Sequence, residues 1–379
     1  MIRCGAAAPW GSIERMRCPR GLAALLLASA WGGSACGGGG ATGPADAPAG
    51  SDAAAGDATI DATIDAPIDA PGDAGLPPQT LAETGLCVDA ACTTIAPGVR
   101  AYAPQFQLYS DGATKRRWLA LPAGTTIDTT DMDHWRFPVG TKLWKEFTRG
   151  TVRVETRYME KLLADDAAPG AWAYATFQWN LAGDATTLAP PSAGVMNANG
   201  TDHDIPTRAN CRRCHEGVPG RVLGFGAISL DHAAPTGELD LQDAIDAGLL
   251  SAPPTGSAPY FPLPGTSVDR AAFGYLHANC GGCHNPRSPI YSTTQVALRL
   301  DVDTLGTVAE VPARATTVNV NGSLGGLTGK VVDPGNADQS VMIIRMLSPT
   351  FPTKMPEIGT ETVDPTGEAA VRAWINQPP

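Results

Sequence analysis

The chain has 379 residues and a formal net charge of −11 at pH 7. That acidic balance argues against nucleic-acid binding, which needs a basic footprint. No segment after residue 80 is apolar for the length needed to cross a membrane, and 81–379 is long enough for two domains with real cores.

Residues 1–35 read as a signal peptide of the lipoprotein type. Met16-Arg17-Cys18-Pro19-Arg20 is a short basic segment, with Met16 taken as the true start, and Gly21 to Trp31 is an apolar run too short to span a bilayer. Gly33-Ser34-Ala35-Cys36 resembles a lipobox, in which the cysteine is acylated and becomes the mature N-terminus; Gly33 stands where leucine is usual. Cys36 is therefore the lipidation candidate, against simple secretion with Cys36 a passenger thiol. Residues 36–80 are mainly Ala, Asp, Gly, Pro and Thr, with seven Asp and no Lys or Arg. So little can be buried there that a disordered linker is expected.

From 81 to 200 the pattern is that of a β-rich domain. Alternation is clear in Leu143-Trp144-Lys145-Glu146-Phe147 and Val152-Arg153-Val154-Glu155-Thr156, with turns at Pro122-Ala123-Gly124, Pro138-Val139-Gly140 and Arg149-Gly150. Strands are expected over 115–121, 134–137, 142–148, 151–161 and 171–180. Cys87 and Cys92 can close a small disulfide loop in an oxidising compartment, the alternative being two free thiols. Trp118, Trp135, Trp144, Trp172 and Trp179 all fall here; core packing is the first reading. A ligand-binding aromatic surface is the second, and it requires some of them to be exposed.

Beyond residue 200 short helices alternate with Gly/Pro loops, with helices expected over 240–250, 269–278, 339–347 and 366–376. Two runs carry the chemistry: Cys211-Arg212-Arg213-Cys214-His215 and Cys280-Gly281-Gly282-Cys283-His284. Two thiols about one helical turn apart, followed directly by an imidazole, suit a haem held by two thioether bonds with the histidine as axial ligand. A Cys₄ zinc site would leave His215 and His284 unexplained at identical offsets, and a redox Cys-x-x-Cys belongs to a βαβ unit that is missing here. Two covalently bound haem c groups are therefore expected, in a first module at 201–265 and a second at 266–379.

For the second haem the distal ligand candidate is Met355 in Thr353-Lys354-Met355-Pro356, where proline stiffens a loop that presents the thioether. Its alternative is a gap-filling core methionine. For the first haem, His203 and His232 are both candidates, beside solvated loop histidines and a five-coordinate iron. His277 and His134 read as structural.

The order and content of these segments resemble the diheme c-type cytochrome lipoproteins of environmental and predatory bacteria. Tyr109-Ser110-Asp111-Gly112, Phe137-Pro138-Val139-Gly140, Pro206-Thr207-Arg208-Ala209-Asn210-Cys211, Tyr275-Leu276-His277-Ala278-Asn279-Cys280 and Asp333-Pro334-Gly335-Asn336 carry the likeness over essentially all of 81–379. The resemblance implies two covalent haems and an exported electron-transfer role, with Cys211, Cys214, His215, Cys280, Cys283, His284 and Met355 at the haem positions. The Cys87/Cys92 pair is a departure from it.

The expectation is thus an α+β protein: a β-rich N-terminal domain, then a mainly α-helical cytochrome c-like part with two haem modules. Anchored to a membrane through its lipid, in the periplasm or at the cell surface, it would pass single electrons between periplasmic or membrane redox proteins. A haem enzyme working at an open distal site on the first haem is the alternative.

Overall fold

Sequence neighbours are also sheet neighbours throughout the first half of the protein. The computed structural model describes residues 78–324 and 326–378; the signal peptide, Cys36 and nearly all of the linker lie outside the described residues. Strands β1 (Arg100–Ala101), β2 (Thr114–Ala120), β3 (Lys142–Arg149), β4 (Val152–Lys161), β5 (Trp172–Trp179) and β6 (Thr186–Leu188) form one antiparallel sheet in that order. Gly150, at φ +59°, makes the tight β3–β4 turn that an L side chain would resist. The expected strand at 134–137 is not present. Only Arg136 bridges to Asp128, because Pro138 follows at once and has no N–H to continue a ladder. Conversely, β1 and β6 are too short to leave a periodic signal.

The two faces of the sheet differ. On one, Trp118, Trp144, Tyr158, Phe177 and Trp179 pack beneath Leu81, Leu86 and Cys92. Trp144 Nε1 donates to Thr84 Oγ1 at 2.9 Å and Trp179 Nε1 to Thr156 Oγ1 at 3.0 Å, so both indoles are buried with their polar atoms satisfied. Cys87 and Cys92, with Cα atoms 5.0 Å apart, form a disulfide within the segment that covers this face. All five tryptophans of the region are buried, which removes the basis for an aromatic ligand surface.

The other face is split along its length. Leu119, Leu143, Met159 and Trp172 at one end share a core with Phe137, Phe225 and Leu230, so residues beyond 220 pack directly on the sheet. At the other end the inward positions are Lys115, Arg117, Lys145 and Arg157, and Arg117, Lys145 and Arg157 are directly paired across β2, β3 and β4.

Helices of more than one turn are α1 (Arg208–His215), α2 (Leu241–Asp246), α3 (Ser267–Asn279), α4 (Val341–Leu347) and α5 (Pro365–Ile375); a hairpin, β7 (Asn321–Leu324) with β8 (Leu327–Lys330), precedes α4. None of the described helices is long and apolar enough to cross a membrane. A reciprocal capping box of Thr266 and Asp269 starts α3, and Asp364 caps α5 just before Pro365. These two helices pack through Phe273 and Trp374, whose ring centroids are 5.6 Å apart. Gly367 allows that approach: a Cβ there would lie 2.0 Å from the Tyr275 ring. Gly367→Ala should therefore destabilise the protein by about 1–3 kcal/mol through overpacking, despite alanine's better helix propensity. Thermal or denaturant unfolding checks it, and a stabilised variant would refute the packing argument.

Candidate haem-binding site

Helix α1 has no apolar stripe, which is why periodicity missed it. Its start is nonetheless encoded: the Thr207 side chain accepts from the Asn210 N–H as an N-cap. Cys211, Cys214 and His215 stand at i, i+3 and i+4, hence on one face of the helix. The second run is built differently. Cys280 is the C-cap of α3, and the chain turns so that Cys283 N–H and His284 N–H both donate to the Cys280 carbonyl, at 3.1 and 2.8 Å. Asn285 Nδ2 pins that turn through the Gly281 and Gly282 carbonyls, at 2.9 and 3.1 Å.

The two runs interlock. Cys214 Sγ lies 3.7 Å from Cys283 Sγ, and a Cβ on Gly217 would sit 2.4 Å from the Gly282 carbonyl oxygen. Backbone thus approaches backbone, and glycine is needed for it. All four thiols are unpaired. Among the described residues, no three His, Cys, Asp or Glu side chains converge on a point that could hold a metal ion by themselves.

His215 is held in one tautomer with its second nitrogen uncommitted. Its Nδ1 is 2.6 Å from the Arg221 carbonyl, which can only accept, so Nδ1 carries the proton and the Nε2 lone pair is left for a metal. Burial, partly countered by that carbonyl, pushes its pKa down to about 4, so the ring is neutral at ordinary pH. His284 is likewise driven to about 4, by burial first and the Arg345 charge second. The Val296 carbonyl acts on this ring, although Nδ1 makes no hydrogen bond of normal geometry. Burial raises the Cys211 thiol and lifts Cys280 to about 12. The contact with Cys283, then burial, keeps Cys214 protonated well above the usual thiol range. The same contact with Cys214 pulls the Cys283 thiol the other way, below the usual thiol range.

Met355 is half-buried on a loop tied to α4, to the first run and to the sheet domain. Its N–H donates to the Arg345 carbonyl at 3.0 Å, and two residues on Glu357 pairs with Arg213 of the first run at 2.6 Å. The far end of the loop is held by Asp111, fully buried, whose Oδ1 accepts from Thr362 N–H at 2.9 Å; Tyr109 Oη meets Thr362 Oγ1 at 2.8 Å. The Tyr109-Ser110-Asp111 motif is therefore a clamp on the methionine loop. Asp111→Ala should cost about 1–3 kcal/mol by orphaning the Thr362 N–H, and should speed amide exchange across 355–362. Unchanged exchange in that segment would show that Asp111 does not hold it.

Neither first-haem histidine candidate offers a free Nε2. His203 is fully buried, with Nε2 2.7 Å from Glu155 Oε1 and its ring on Phe147; Nδ1 has no partner. His232 Nε2 donates to the Ala103 carbonyl at 2.8 Å. His277 is buried and accepts from Leu300 N–H at 2.9 Å, a packing role, while the half-buried His134 pairs with Asp131 at 3.2 Å.

Several residues at the site escaped the sequence reading. Tyr174 of β5 sits against the His215 ring with centroids 5.6 Å apart, and its hydroxyl is buried without a partner. Lys145 and Arg157, on the same sheet face, are close enough to lower the His215 pKa further. Alternation placed these residues on strands, but neither the face they take nor their neighbour could be known from it. Comparison with protein-family models, with curated proteins and with solved structures gives no match.

Proposed function

We propose that the chain is an exported two-haem c-type cytochrome that passes single electrons between periplasmic or membrane redox proteins. When bound, the haem iron supplies the one-electron couple. Cys211, Cys214 and His215 would hold the first group, and Cys280, Cys283 and His284 the second, with Met355 as the second group's distal ligand. The observation that carries the reading is the interlock: Cys214 Sγ and Cys283 Sγ are 3.7 Å apart. Groups held through those two sulfur atoms would lie close together, giving an electron a short path between them. The chain's own part is to keep both imidazoles neutral, to fix the His215 tautomer through Arg221, and to hold the runs together at Gly217 and Gly282. Export with acylation of Cys36 belongs to the same proposal, since thioethers of this type form outside the cytoplasm.

Expression with a haem-maturation system, followed by haem quantification and redox titration, tests it. Two covalent haems titrating as one-electron centres are expected; a folded chain with none, or with one, defeats the proposal. The engagement of His203 Nε2 by Glu155 and of His232 Nε2 by Ala103 favours a second reading, an enzyme with an open position at the first haem. A high-spin ferric signal that responds to cyanide or peroxide would select it, and two low-spin haems would select the carrier.

A further inference from the structure

Arg117, Lys145 and Arg157 are direct cross-strand partners on three adjacent strands, with Lys115 two residues before Arg117 on the same face. Like charges set opposite one another in a sheet repel. The fold keeps them there half-buried or buried, with Arg117 only 4% exposed. Phe147 is their hub: the charged groups of Lys115, Lys145 and Arg157 lie 5.5, 5.6 and 4.2 Å from its ring centroid. Only Arg157 has an anionic partner, Glu155, which also takes His203. Among the described residues no carboxylate pairs with Arg117, Lys145 or Lys115; Glu238, Asp111 and Asp364 act on them only from a distance. On this same face Tyr174 touches His215 and leaves its buried hydroxyl without a partner. A desolvated cationic row with one carboxylate among four basic side chains, beside an orphaned hydroxyl, is completed by an anion.

We propose that Arg117, Lys145 and Arg157, with Lys115 at the margin, form a carboxylate-binding site facing the first Cys-x-x-Cys-His run. Guanidinium groups grip carboxylates through paired N–H donors, and Lys145 adds a point charge between them. Two sources carry this chemistry: the propionates of the haem assigned to the first run, and a free small carboxylate. The first source rests on the two-haem reading; the second does not.

The test uses the full chain matured with haem, its Lys145→Met and Arg117→Gln variants, and Lys145→Arg as the conservative control, with acetate as the probe. If the row holds propionates, Lys145→Met shifts one of the two midpoint potentials and leaves the other, Lys145→Arg restores it, and acetate leaves the unaltered protein's melting temperature unchanged. If it takes a free carboxylate, acetate raises that melting temperature saturably, and Lys145→Met weakens the apparent affinity by roughly tenfold or more. Either result supports the site. Lys145→Met and Arg117→Gln proteins that match the unaltered one in both potentials and in acetate response overturn it. Lys115→Met gives the same readouts where a deeper variant does not accumulate. Should the chain mature without covalent haem, the two-haem reading fails separately, and the acetate response of the haem-free protein alone decides whether the row binds carboxylate.

Discussion

On the two-haem proposal, a chain with Cys280 and Cys283 both replaced by Ser should carry one covalent haem in place of two. Each run brings its own pair of thiols and its own imidazole, and the first is organised without help from the second: Thr207 caps α1 and the Arg221 carbonyl orients His215. Cys280 sits at the edge of the α3–α5 core, so the substitution also places a hydroxyl in apolar surroundings. That penalty, about 1–3 kcal/mol, weakens the fold without abolishing it. The intact mass should fall by one haem, and haem absorbance per chain should drop to about half. The mirror variant, Cys211 and Cys214 to Ser, should lose the other haem. Two haems persisting in either variant would mean that the runs are not the attachment points.

Removal of the Glu155 carboxylate should be the most damaging single change to stability. Glu155 is fully buried; its Oε1 accepts from Arg157 Nε at 3.0 Å and Nη2 at 2.5 Å, and from His203 Nε2 at 2.7 Å. Glu155→Ala leaves a guanidinium with no counter-ion beside Lys145 and should cost about 3–5 kcal/mol in denaturant unfolding. Burial pushes the Glu155 carboxyl up, but Arg157 and His203 outweigh it and hold the pKa below the ordinary value. A depressed carboxylate pKa means that its stabilisation is present above the unfolded-state pKa, about 4.3, and is lost as pH falls through the folded value. Stability should therefore decline below about pH 4.3, and Glu155→Gln should flatten that decline. An acid limb of the same slope in Glu155→Gln would assign it to other carboxylates.

Much of this was legible beforehand, for physical reasons that differ from part to part. Strands β2 to β5 announced themselves through alternation, β-favouring residues and the turns between them. Helices α3 and α5 did so through their apolar stripes, although the Thr266 cap starts α3 two residues before the expected 269. The two Cys-x-x-Cys-His runs were legible because each is contiguous in the chain and its chemistry depends on local spacing alone. Helix α1 was not, since Arg208-Ala209-Asn210-Cys211-Arg212-Arg213-Cys214-His215 has no apolar stripe; only Thr207 hinted at it. His134–Phe137 misled through its aromatics, because composition does not register the ladder that Pro138 forbids. The Glu155–His203 pair and the Arg117–Lys145–Arg157 row depend on register and on tertiary pairing, and nothing local in the chain encodes either.

The clamp at Asp111 has a consequence for the order of assembly. Its partner Thr362 lies 251 residues further along. A chain emerging from its N-terminus can therefore pair the sheet and form α1 while the Met355 loop, and α5 against which α3 packs, have yet to appear. Long-range closure of this kind comes late, because the chain must surrender its loop entropy before the contact rewards it. The thiols thus precede the methionine loop in synthesis, and the Asp111–Thr362 latch closes only after both runs exist.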